Sequence, residues 1–167
     1  MRVSRPGVVV AVLAAVSVGG WWLGEQRRDA TPRVRVLEVL DGDTIVVAFP
    51  DGRADTVRIL GVDTPETHHP TKGVECFGPE AAEYTASRLT GRVVRLEGDV
   101  EPRDIYDRRL AYVVVDGHQY GRELLRLGLA RFLVLDPNRA HARELLTAEL
   151  AARRASRGLW GACENDG

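Results

Sequence analysis

Lysine is almost missing from this 167-residue chain: Lys72 stands alone beside 22 arginines. Formal net charge is −1, so the global basic excess that marks many polyanion binders is absent, and so is an acidic tail. There are two cysteines, Cys76 and Cys163, and 6% aromatic residues. No internal repeat and no low-complexity tract interrupts the chain, which argues against a repeat array or a disordered linker protein. What is present, 44% hydrophobic and 28% charged residues, is the composition of one ordinary globular domain with an added segment.

The added segment is residues 1–30. Arg2 and Arg5 precede an apolar run from Val8 to Leu23, and a polar exit follows. That is the layout of an export signal. At 16 residues the run falls between a signal-peptide core and the roughly 20 residues of a spanning helix. Small residues at Ser17-Val18-Gly19-Gly20 favour cleavage and secretion. Trp21 and Trp22 favour an uncleaved anchor through residues 7–24, because indoles settle at the membrane interface. Both readings put the domain, residues 31–167, on the outer side of the membrane. An even cysteine pair in that compartment is most simply a disulfide, Cys76 to Cys163.

Within the domain, "RVRVLEVLDGDTIVVAFPDGRADTVRILGV" reads as three strands. Val34, Val36, Ile45, Val47, Val57 and Ile59 give the β-branched alternation, and Asp41-Gly42 and Pro50-Asp51-Gly52 give the turns. A helix follows Gly78-Pro79 and stops near Gly91. "RVVRLEG" and "RLAYVVVDG" read as two more strands. "YGRELLRLGLA" is a short helix, and "AHARELLTAELAARRASRG" a final amphipathic one with Ala142, Leu146 and Leu150 on its apolar stripe. Five short strands and three helices define an α+β class, with the strands closed as a barrel.

Chemistry gathers where the third strand ends, in "VRILGVDTPETHHP". Asp43, just past a tight turn, and Asp63, at that strand end, can meet at one end of a small barrel, where oxygen ligands suit a hard cation such as calcium. Taken alone, "DGDT" is equally a plain turn. Glu66 is either part of a capping box, Asp63-x-x-Glu66, or a carboxylate that accepts a proton from water. Arg58 alternates with apolar neighbours and so needs an anionic partner, an internal carboxylate or a bound phosphate. Arg108 approaches another strand and has the same two options. His68, His69, His118 and Cys76 lack ordinary zinc spacing and read as loop residues rather than a transition-metal site.

"VLDGDTI", "VRILGVDTPETHHPTKGVECFGPEA", "DIYDRRLAYVVVDG", "LLRLGLA", "DPN" and "RGLW" together resemble the staphylococcal nuclease (thermonuclease) family, in family order from about Val34 to Trp160. The resemblance implies a five-stranded OB-fold barrel with three helices and a calcium-dependent phosphodiesterase. It implies cleavage of DNA and RNA, preferably single-stranded, to 3′-phosphates, by a monomer. It assigns Asp43, Asp63 and the backbone oxygen of Thr64 to calcium, Glu66 to the attacking water, and Arg58 and Arg108 to the scissile phosphate. Tyr106 and Lys72 fall to substrate binding. The chain departs from the family pattern at Asp107, where the family has glycine, and at Leu133 and Leu135, where it has nucleotide-stacking tyrosines. Charge departs too: residues 31–167 carry 19 basic against 22 acidic groups, an odd balance for a polyanion binder. The competing reading is a non-catalytic OB module that binds nucleic acid or a protein partner.

Overall fold

The computed structural model describes residues 31–67 and 73–163. The apolar amino-terminal segment, His68, His69 and Lys72 lie outside the described residues. Among the described residues no helix is long and apolar enough to cross a membrane.

The expected meander forms as β1 (Arg33–Asp41), β2 (Thr44–Ala48) and β3 (Ala54–Ile59). β1 and β2 pair antiparallel across the Asp41-Gly42 turn, with Asp41 opposite Thr44. β2 and β3 pair so that Thr44 faces Arg58. β4 (Gly61–Asp63) follows directly, then α1 (Gly78–Leu89), β5 (Val93–Glu97), β6 (Arg109–Val115) and the two-residue β7 (His118–Gln119). α2 (Tyr120–Leu127), β8 (Arg131–Leu133), α3 (Ala142–Arg154) and the short α4 (Leu159–Ala162) complete the chain.

β3, β2, β1, β5 and β6 are hydrogen-bonded in that order, and β3 also pairs with β6, in parallel, closing the ring. A five-stranded mixed barrel with three principal helices is an OB-fold arrangement. Its interior is filled by Val34, Val36, Ile45, Val47, Val57, Ile59, Val94, Leu96 and Val113. These are the alternate positions of strands with one inward face. Asp55 pins the closure, because Arg103 (2.9 Å) and Arg109 (3.0 Å), at the approach to β6, both reach its carboxylate from outside.

The helices cover one side. α2 ends at Gly128, whose φ of 71° gives the left-handed C-terminal stop. On α3 the buried face differs from the expected one. Leu146 and Leu150 are exposed, while Leu145, Ala148 and Ala152 are buried. A leucine at both 145 and 146 makes two neighbouring stripes equally apolar. Packing selects the one in which Leu145 meets the Cβ-less faces of Gly61 and Gly121. The same stripe buries Glu149, whose carboxylate takes hydrogen bonds from the Phe132 amide (3.3 Å) and Arg153 (3.0 Å).

Three short strands were invisible to periodicity: β7, and the paired β4 and β8, which set Asp63 opposite Arg131. The tail is held by the Cys76–Cys163 disulfide (S–S 2.03 Å, Cα–Cα 5.9 Å), which links α4 to the loop before α1.

Candidate active site

The site starts from one arginine. Arg58, on β3, is buried, and its guanidinium is the hub of a fixed network. Nη1 lies 3.1 Å from Asp43 Oδ2, Nη2 lies 3.0 Å from Asp63 Oδ1, and Nη1 also donates to the carbonyls of Ile59 (3.0 Å) and Val62 (2.7 Å). Asp43 and Asp63, 20 positions apart in the chain, therefore converge on the same side of the barrel. A fork of planar donors is the side chain that can bridge them.

Asp43 is as buried as Arg58. Its Oδ2 accepts the Thr64 amide (2.9 Å) and its Oδ1 accepts the Thr44 hydroxyl (3.0 Å). The turn that carries it is glycine for a steric reason. A Cβ on Gly42 would lie 2.7 Å from the Thr64 side chain, so only glycine lets the turn close over that residue. Thr64 is buried, and its hydroxyl oxygen has no hydrogen-bond partner. Asp63 is half exposed on its outer side. Burial on the other side, together with the Asp43 charge, raises its pKa against the lowering effect of Arg58.

A third and a fourth carboxylate complete this corner. Asp41, at the end of β1, is pushed up to about 6, first by burial, then by a hydrogen bond with the Glu66 side chain and by the charges of Glu66 and Asp43. Glu66 does not form a capping box, for residues 64–66 are not helical and Asp63 is occupied by Arg58. Instead the Glu66 carboxylate meets Asp41 and accepts the Thr67 amide (3.1 Å). Sequence reading missed Asp41. The signal was there in "DGD", where a two-residue turn brings both acids to the same rim.

Arg108 and Tyr106 join from the β5–β6 connection. Asp107 has φ of +63°, the left-handed conformation that glycine takes most easily and aspartate tolerates. Asp104, also missed, organises the turn. Its Oδ1 accepts the amides of Tyr106 (3.0 Å) and Arg108 (2.9 Å), and its Oδ2 accepts Arg108 Nε (2.7 Å). The Arg108 guanidinium lies over the exposed Tyr106 ring, 5.4 Å from its centroid. Asn138 anchors the connection from below with paired hydrogen bonds to the Glu101 backbone, 2.8 and 3.1 Å. Arg58, Arg108, Tyr106 and Leu135 line one open pocket of about 820 Å³. Arg58 thus belongs both to the carboxylate corner and to the pocket wall.

Among the described residues, no group of three or more His, Cys, Asp or Glu side chains is placed so as to hold a metal ion. The donors at this corner are nonetheless all oxygens: Asp41, Asp43, Asp63, Glu66 and the unpartnered Thr64 hydroxyl. Such a set suits a hard divalent cation with several waters, and does not suit zinc or copper. The charges of Glu66 and Asp43 add to burial in raising Asp41, and that smaller, repulsive part is what a bound cation would relieve. His118 sits elsewhere, beside Tyr84 and Arg122, and Cys76 is consumed by its disulfide, so no transition-metal set forms from them.

A strained-turn arginine, a bridging arginine and an acidic oxygen corner on an OB barrel define a site for anionic, phosphate-bearing substrates. Residues 56–162 match the family described as staphylococcal nuclease homologue, and the chain belongs to that family. Its relatives include the thermonuclease of Staphylococcus hyicus, 38% identical over 126 residues, or 75% of this chain and 74% of that one. The thermonuclease of Staphylococcus intermedius is 39% identical over 125 residues, again 75% and 74%. Endonuclease YncB of Bacillus subtilis strain 168 is 39% identical over 129 residues, 76% of this chain and 61% of that protein.

Proposed function

We propose that the protein is an exported, calcium-dependent nuclease that hydrolyses phosphodiester bonds of DNA and RNA, preferring single strands, and leaves 3′-phosphates. The observation that carries the reading is Arg58, which holds Asp43 and Asp63 together while facing the pocket shared with Arg108. Membership of a family with thermonucleases and an endonuclease supports the hydrolase class. The amino-terminal apolar segment supports export, as a cleaved signal or an anchor in the cytoplasmic membrane.

Asp43, Asp63, Asp41 and the oxygens of Thr64 would hold the ion. Bound calcium supplies a Lewis acid that stabilises charge on the phosphoryl oxygens. The chain's own groups do the rest. Glu66 orients a water and takes its proton as the oxygen bonds to phosphorus. Arg58 and Arg108 donate N–H groups to the non-bridging oxygens, where charge grows in the transition state. The bond from phosphorus to the 5′ oxygen breaks, that oxygen takes a proton from solvent water, and the phosphate stays on the 3′ side. Tyr106 offers a stacking face at the pocket mouth. Lys72 is proposed, from resemblance alone, as a substrate-binding residue.

The test is Glu66→Gln against wild type on single-stranded DNA in calcium. The amide keeps the shape and removes the base, so kcat should fall about 10²- to 10⁴-fold. Unchanged kcat with normal calcium binding would refute the role of Glu66.

A further inference from the structure

Glu66 follows the buried Thr64 and Pro65, and the described residues before α1 give it little burial from the other side. Gly73, Val74 and Cys76 are exposed, and Glu75 is only half-buried. Besides the Glu66–Asp41 side-chain contact and the bond from the Thr67 hydroxyl to Asp41 (3.3 Å), Glu75 and the disulfide hold the segment. Glu75 clasps Glu66 in both directions: its amide donates to the Glu66 carbonyl (2.9 Å), and its carboxylate Oε2 accepts the Glu66 amide (3.1 Å). The next residue, Cys76, is bonded to Cys163. Cys163 is itself fixed, because α4 is seated by buried Leu159, whose amide donates to the Gly128 carbonyl (2.9 Å), and the Cys163 amide donates to the Leu159 carbonyl (3.1 Å). The chain then turns directly into α1 at Gly78, so close beneath Glu66 that a Cβ there would meet the Glu66 carbonyl oxygen at 2.8 Å.

The tether therefore runs from the helical body through α4, the disulfide and Glu75 to the backbone of Glu66. We infer that Glu75 and the Cys76–Cys163 disulfide are positioning elements for Glu66, and that the nuclease is competent only when the disulfide is formed. This rests on the nuclease reading of the site. Reduction by a dithiol, in which two electrons and two protons convert the disulfide to two thiols while the dithiol is oxidised, releases the clasp from its anchor. Arg58 and Asp63 sit on β3 and β4, and Asp43 in the turn before β2; the tether reaches them only through the Glu75 charge near Asp63, so substrate capture survives while the water-directing acid loses its place. A misplacement of about 1 Å in such a group can lower turnover about 10²-fold. A protein with this tether stays inactive in a reducing cytosol and becomes active after export.

The experiment is steady-state hydrolysis of single-stranded DNA by wild type, Cys163→Ser and Glu75→Ala, each also combined with Glu66→Gln, with circular dichroism of every variant. Both single variants should lose tenfold or more in kcat at KM within twofold of wild type, with unchanged far-ultraviolet spectra. On the Glu66→Gln background neither should lose more than about twofold further, because the group they position is already gone. Full kcat in Cys163→Ser, or equal losses on both backgrounds, would overturn the inference. If Cys163→Ser does not fold, wild type titrated with dithiothreitol well below its melting temperature gives the same readout, with free thiols counted alongside. There, activity that persists after both thiols appear overturns it. Wild type inactive in the oxidised state overturns the nuclease reading itself, and this inference with it.

Discussion

Replacing Arg58 by lysine should separate holding the site together from merely carrying a charge. The guanidinium makes four contacts, two to carboxylates and two to carbonyls, at a position with 8% side-chain exposure. An ammonium group can reach one carboxylate and one carbonyl at best. Two charge-assisted hydrogen bonds are then lost in a buried setting, at about 1–1.5 kcal/mol each after water and the remaining donors are allowed for. Asp43 keeps the Thr64 amide and Thr44 hydroxyl, so the penalty stays below the ~3–5 kcal/mol of a fully orphaned buried charge. The sum is about 2–3 kcal/mol, or roughly 6–15 °C in melting temperature for a domain of this size. Thermal unfolding by circular dichroism in chelator measures it, and nuclease activity should fall about 10²- to 10³-fold through lost transition-state contacts. A shift under about 2 °C, with activity kept, would refute Arg58 as the bridge.

Asp41 makes metal-free stability depend on pH. Its pKa is raised from 3.8 to about 6, so the folded state binds the proton more tightly. That contribution is complete below about pH 4 and lost as pH rises through about 6. The side chain is partly exposed, so the fall should be only about 1–2 kcal/mol, measured by urea unfolding in chelator, and Asp41→Asn should flatten it. Leu135→Tyr restores an aromatic face on the pocket wall, and at about 1–3 kcal/mol per stacked base should lower KM for single-stranded DNA at least fivefold. An unchanged KM would show that no base reaches that wall. Reduction of the disulfide should also lower stability by about 4.5 kcal/mol, because the bridge closes a loop with a separation of 87 residues.

Local pattern and local turns made most of the barrel legible. Alternation located β1 to β3, β5 and β6, and the same alternation marked Arg58 as a charge that needs an anionic partner. Where a choice depended on distant contacts, the chain was ambiguous. The stripe of α3 turned on which of two adjacent leucines meets Gly61, and three-residue β8 exists only because β4 lies beside it. Of the site, Asp43, Arg58, Asp63 and Thr64 are in direct contact, and Arg108 and Tyr106 share a pocket with Arg58. Asp41, Asp104 and Glu75 escaped notice because each acts through a partner: a shared hydrogen bond, an Asx turn and a backbone clasp. Acidic residues are common on surfaces, and spacing does not reveal which of them hold another group in place.

Net charge of −3 on residues 31–167 sets a further condition on the proposed activity, since a cation at the acid corner must offset repulsion between the protein and its substrate. Hydrolysis of a labelled single-stranded oligonucleotide by the purified protein, in calcium and in excess chelator, tests this most directly. Turnover in calcium that disappears in chelator and returns when calcium is restored is the expected result. Equal cleavage in both, or none in either, would contradict a cation-dependent hydrolytic site built on Asp43, Asp63 and Arg58.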